Sequence, residues 1–144
     1  MNLPKELLND LYWAFYQKFE SQEEFQEELI KYNDVPSRRL PPLDRIAIPV
    51  QKVVIQYLWI PMVDEEDSEE DDEDRQFVIT TENPIGFTIV ELMFRINQGA
   101  CTSTKGSNYD VSDQDHHFFE GLEYLTDDDP DFPNVPVYYM ILGS

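Results

Sequence analysis

Two adjacent histidines and three nearby carboxylates form the one stretch of this chain where proton-transfer or metal chemistry could gather: Asp113, Asp115, His116, His117 and, on the strand expected to follow, Glu120. Imidazole beside carboxylate can serve as an acid–base pair or as metal ligands. Strand geometry weighs against a shared ion, because successive side chains point to opposite faces and would separate His116 from His117. The same alternation puts Glu120 on the face of His116 and Phe118. The plainer expectation is a loop that ends at a strand, with one histidine packed and the other exposed. An EF-hand loop needs Gly at position 6 and Glu at position 12. Counted from Asp127, those positions hold Phe132 and Tyr138, and counted from Asp113 position 6 is Phe118, so both candidate loops fail. Cys101, the single cysteine, sits in a polar stretch where it could be exposed, but no neighbour in sequence supplies a base to activate it. The phosphate-loop, dinucleotide and nucleophile-elbow motifs are missing. No catalytic residue, metal site or cofactor is assigned.

Charge is the stronger signal. Thirty acidic residues against ten basic ones give −20, which opposes binding to nucleic acid or an anionic membrane and points to a basic partner. The excess is concentrated in two stretches. Asp64, Glu65, Glu66, Asp67, Glu69, Glu70, Asp71, Asp72, Glu73 and Asp74 fill ten of eleven positions, and Asp127, Asp128, Asp129 and Asp131 form a second cluster. Together they hold 14 of the 30 acids, leaving 16 against 10 bases. Each stretch follows an expected strand; if the two converged they would add to one field and speed the arrival of a cationic partner. The plainer role is solvation, yet ten carboxylates in one connection exceed what solubility requires. Tyr12, Trp13, Phe15, Tyr16 and Phe19 are too dense for one helix face. Most should pack inside, while Trp13 and Tyr16 are expected at the surface as interface anchors.

The elements that must carry these residues are legible in outline. Leu3, Leu7, Leu11, Phe15 and Phe19 recur every four residues behind Asn2 and Pro4, which predicts an amphipathic helix. Ser21 and Glu24 form a capping box, starting a second helix that runs to about Tyr32. Asn33, Asp34 and the prolines 36, 41 and 42 predict a loop over 33–45. Residues 46–63 read as a strand buried on both sides, and Phe77, Val78 and Ile79 as its antiparallel partner across the acidic connection. Thr88 with Glu91 repeats the capping box, and Phe87 with Leu92 adds a hydrophobic staple, so a helix should span 89–98 and stop at Gly99. Residues 99–115 read as a loop, followed by strands over 118–125 and 137–142 separated by a turn-rich acidic segment.

This order, ααββαββ, predicts an α+β fold: one domain over 1–144, with a mainly antiparallel sheet of about four strands, an N-terminal helical pair and one inserted helix. A single cysteine and no leader or spanning segment fit a cytoplasmic protein. Small size, strong acidity and the lack of a catalytic motif resemble, in general character, the immunity partners of bacterial toxins, whose nuclease targets carry a cationic cleft. The resemblance implies a protein-binding module that occludes a basic, nuclease-type toxin with the two acidic stretches, Trp13 and Tyr16. The alternatives are a metal-dependent or hydrolytic enzyme centred on Asp113, Asp115, His116 and His117, or a structural or regulatory subunit of a complex.

Overall fold

The computed structural model describes residues 3–36, 40–59, 73–101 and 117–143. In chain order they form β1 (Glu6–Leu7), β2 (Trp13–Ala14), α1 (Gln22–Tyr32), β3 (Ile46–Ile48), β4 (Lys52–Trp59), β5 (Glu73–Thr80), β6 (Phe87–Thr88), α2 (Ile89–Ala100), β7 (Phe118–Thr126) and β8 (Val137–Gly143). Both helices begin where the capping boxes require. The Ser21 hydroxyl accepts from the Glu24 N–H at 3.2 Å, and the Thr88 hydroxyl accepts from the Glu91 N–H at 3.2 Å.

The main sheet has six strands in the order β1, β7, β8, β4, β5, with β2 also paired to β7. β4 and β5 form a regular antiparallel hairpin from Lys52↔Thr80 to Trp59↔Glu73. β8 lies between β7, to which it is antiparallel, and β4, to which it is parallel through Val54↔Val137 and Gln56↔Tyr139. β3 and β6 make a separate two-stranded sheet. Phe25 and Leu29 of α1 join Leu92, Met93 and Ile96 of α2, and Val53, Ile55, Phe119, Tyr138 and Met140 of the sheet, in one buried cluster. On the other side of the sheet Gln56, Leu58, Tyr139 and Ile141 are only half-buried, and Val78 and Leu125 are exposed.

This architecture corrects the expected one. The fold is mixed, with two helices and eight strands in two sheets among the described residues, in place of a four-stranded sheet with an N-terminal helical pair. The four-residue spacing over 3–19 does not make a helix. β1 pairs with β7 through Glu6↔Glu123 and Leu7↔Leu122, and β2 pairs with the same strand through Trp13↔Phe119 and Ala14↔Phe118. Between them Leu8 is left-handed (φ 61°) and the Leu11 N–H closes a turn onto the Leu8 carbonyl at 3.1 Å. Opposite this turn β7 bulges at Gly121, whose φ of 133° leaves the space Asn9 fills. Aromatic density favours an extended chain, and pairing to β7 overrides the helical spacing.

The expected strand over 46–63 is likewise divided. Its first part joins the second sheet, the chain breaks around Pro49, and the half-buried Gln56 and Leu58 show that β4 is not buried equally on both sides. α2 continues through Gly99 to Ala100. Gly99 is needed for packing, because a Cβ there would collide with the Phe77 ring.

Candidate partner-binding site

Residues 12–19 cross the ends of both helices, and three amide side chains replace the strand neighbours they lack. Asn33, just past α1, accepts from the Tyr12 N–H (3.0 Å) and donates to the Tyr12 carbonyl (2.8 Å) and the Leu29 carbonyl (2.9 Å). Gln98 on α2 accepts from the Phe19 N–H (3.0 Å) and donates to its carbonyl (2.9 Å). Between them the buried Asn97 accepts from the Trp13 indole N–H at 2.9 Å and donates to the Gln17 carbonyl at 3.0 Å. An amide carries both a donor and an acceptor, so Asn33 and Gln98 each satisfy a backbone N–H and C=O as a neighbouring strand would, while Asn97 joins a side chain to a carbonyl.

The clamps fix an aromatic hollow of about 300 Å³ lined by Trp13, Tyr16, Phe19 and Tyr32, with Glu28 and Lys31 beside them. Trp13 corrects the expectation of exposure: it is 6% exposed, with ring centroids 4.9 Å from Phe25, 5.6 Å from Tyr32 and 6.0 Å from Phe19. Tyr16 is exposed as expected, at 61%. Glu28 and Lys31 pair at 3.4 Å, and both are open to water, so this ion pair adds little to stability. The hollow therefore presents aromatic faces beside a Glu28–Lys31 pair whose charges offset each other.

Topology separates the acidic residues. Because β8 is parallel to β4 and antiparallel to β7, one end of the sheet carries Trp59, Glu73, Gly143 and Phe118. Asp74 and the Tyr16 end of residues 12–19 belong there. Asp127, Asp128, Asp129 and Asp131 follow Thr126, which pairs with Val137 at the opposite end. Asp74 on β5 stands level with Leu58, and Thr126 on β7, through Val137, with Val54, on strands three places apart. Strand rise and spacing then separate the two clusters by roughly 20 Å, beyond the ~8 Å Debye length of physiological salt. Asp74, the described end of the first stretch, and Asp127, Asp128, Asp129 and Asp131 thus sit at opposite ends of the main sheet. Tyrosines mark the ends. Burial and then the Asp74 carboxylate raise the Tyr139 phenol above its ordinary pKa, while burial, the charge of Asp127 and a hydrogen bond to it raise Tyr124.

Asp64, Glu65, Glu66, Asp67, Glu69, Glu70, Asp71 and Asp72 lie outside the described residues, as do Asp113, Asp115 and His116. His117 is half-buried; its ring stacks on Phe118 at 4.6 Å and lies 5.1 Å from Tyr16, and its carbonyl accepts from the Phe15 N–H at 3.0 Å. Glu120 lies over Gly143 on the neighbouring strand. Among the described residues no three His, Cys, Asp or Glu side chains gather as metal ligands. Cys101 corrects the expectation of possible exposure: it caps α2, is buried, and its thiol lies 3.8 Å from the Asn97 oxygen. Sequence reading missed Phe19, Glu28 and Tyr32 as neighbours of Trp13. The signal lay in the Ser21 capping box, which sets the helical phase and puts Glu28 and Tyr32 one turn apart. No described helix is long and apolar enough to cross a membrane. The chain matches no protein-family model, no curated protein and no solved structure.

Proposed function

We propose that this protein is a binding module that captures and neutralises a basic protein, in the manner of a toxin-immunity inhibitor. The observation that carries the reading is a juxtaposition. Exposed Tyr16 and its aromatic hollow stand at the same end of the main sheet as Asp74 and the strand ends joined by the acidic connection. An aromatic anchor and a run of carboxylates that leave the same end of a sheet can serve a basic surface in two ways: long-range attraction for encounter and a desolvated contact for residence. Asp127, Asp128, Asp129 and Asp131, at the far end, are outside this surface.

Affinity capture from source cells on the immobilised chain tests the reading, with the retained protein then titrated calorimetrically. One basic protein should remain in 1:1 ratio at moderate salt. Replacing the ten carboxylates of 64–74 by Asn and Gln should slow its association strongly, and Tyr16→Ala should speed dissociation about tenfold or more. The quadruple Asn variant of 127, 128, 129 and 131 should change little. A salt-labile mixture of basic proteins, or equal loss from neutralising either end, would sink the proposal.

A further inference from the structure

We infer that the open face of the main sheet takes a basic amphipathic helix of the partner protein. Both described helices pack on one face, where Val53, Ile55 and Tyr57 of β4 join Tyr138 and Met140 of β8 in the core. Alternation sends the residues between them to the other face, and register lines these up in rows across the strands. One row runs Gln76, Gln56, Tyr139, Glu123 and Glu6 from β5 to β1. The next brings Asp74 beside Leu58 and Ile141 beside Gly121. β4 and β8 are a parallel pair, and parallel strands ordinarily lie in sheets covered on both faces.

This face has an apolar centre and an acidic rim. Leu58, Tyr139 and Ile141, all half-buried, occupy the adjacent interior strands β4 and β8. Asp74 flanks them on β5, Glu123 on β7 and Glu6 on β1 flank them on the other side, and the Glu120 carboxylate lies over Gly143. Among the described residues none of these four carboxylates is ion-paired. Glu6 and Glu123 stand directly opposite each other on paired strands, and like charges so placed cost stability. The charge of Asp74 reaches the Tyr139 phenol and, after burial, helps raise its pKa, as two groups on one face would. Among the described residues the face carries one base, Lys52, four residues before Gln56 and roughly 13 Å away along β4.

Size and charge select the occupant. β5 and β7 lie three strand spacings apart, roughly 14 Å, and a helix with its side chains is about 10–12 Å across. A helix lying along β4 and β8 therefore sets an apolar stripe on Leu58, Tyr139 and Ile141, and brings Lys or Arg from one flank to Asp74 and from the other to Glu6, Glu120 and Glu123. The open stretch from Tyr139 to Gly143 is roughly 13 Å long, about nine residues of helix. An extended segment finds no backbone partners here, because the strands satisfy one another within the sheet. A helix without basic flanks leaves the carboxylates partly desolvated and unpaired, and a second copy of the chain sets the same acids against them. The inference rests on the proposed capture of a basic protein and adds the face used and the element presented. None of these residues lines the aromatic hollow.

Fluorescence anisotropy at moderate salt, with the full chain and three labelled, helix-stapled peptides of equal length, provides the test. The first carries Leu along one face with Lys on both flanks, the second the same Leu stripe flanked by Glu, and the third the composition of the first with its Leu spread around the helix. The first should bind about tenfold or more tighter than either of the others, and Leu58→Lys should cost about the same factor. The Glu6→Gln, Glu123→Gln double variant should weaken binding severalfold with no loss of thermal stability. Amide resonances of Leu58, Tyr139 and Ile141 should shift when the first peptide is bound. No binding of that peptide, equal binding of the third, a preference for the second, or undiminished binding to both variants would each overturn the inference, as would dimerisation of the chain through this face in sedimentation. A captured basic protein whose affinity Leu58→Lys leaves unchanged would overturn it while the capture stands. Binding of the first peptide alone, with no protein captured, would support this face and sink the capture.

Discussion

Asn97 is fully buried, receives the Trp13 indole N–H and holds the Gln17 carbonyl, so one side chain ties the irregular N-terminal segment to α2. Asn97→Ala strands a buried donor and a carbonyl together and should cost about 3 kcal/mol, read as a lower midpoint in urea unfolding. The same change should expose Trp13 and shift its emission to the red. Tyr138 is equally buried, and its hydroxyl donates to the Pro4 carbonyl at 2.6 Å. Burial, with a smaller contribution from Tyr124, pushes its pKa up to about 12. A raised folded pKa favours the neutral phenol in the native state. This contribution is therefore complete below the unfolded value near 10 and is lost as pH rises through about 12. Tyr138→Phe should cost about 1 kcal/mol at pH 7 and remove the last tyrosine to ionise in an ultraviolet titration. Neither partnership was legible in the sequence. Asn97 is a polar residue within a helix whose partner cannot be read from its neighbours, and only the fold shows which backbone 80 residues away it serves.

At the scale of elements, short-range chemistry was readable and long-range pairing was not. Ser21 and Thr88 marked both helix starts because a cap acts within three residues. Thr88→Ala should accordingly destabilise by about 1 kcal/mol in thermal or urea unfolding. β7 and β8 fell within a residue of their expected spans, since alternation and turn residues are local signals. Residues 3–19 misled because their apolar spacing suits a helix while their partner is β7. Gly86 is a second long-range case: with φ at 134°, a Cβ would collide with the Ile48 carbonyl. Gly86→Ala should destabilise by roughly 3 kcal/mol, with the β3–β6 amides losing exchange protection first. Their retention at wild-type levels would show that the two-stranded sheet does not depend on this glycine.

For the whole molecule, the strand ends that flank the two acidic stretches lie at opposite ends of the main sheet. The sequence shows how many carboxylates each connection holds, but which end of the sheet it occupies depends on β8 running parallel to β4. Two tyrosines make this testable. Asp74→Asn should lower the Tyr139 pKa and leave Tyr124 unmoved, while Asp127→Asn should do the reverse, as followed by ring resonances during an alkaline titration. The aromatic hollow was half legible: Tyr16 emerged as exposed, whereas Trp13 turned inward once residues 12–19 proved extended. The partnership of the first strands with β7, and of Pro4 with a tyrosine 134 residues later, has a consequence for biosynthesis. A ribosome adding about 5–20 residues per second exposes the aromatic stretch for roughly 10 s before its partner strand exists. During that interval Trp13, Phe15 and Phe19 have no sheet to cover them, while the β4–β5 hairpin can close as soon as it is made. In refolding, the Phe15 amide, which bonds to the His117 carbonyl, should gain protection after those of Ile55 and Phe77. Nascent chains stalled before β7 should therefore be the form most readily held by a chaperone that reads exposed aromatic segments.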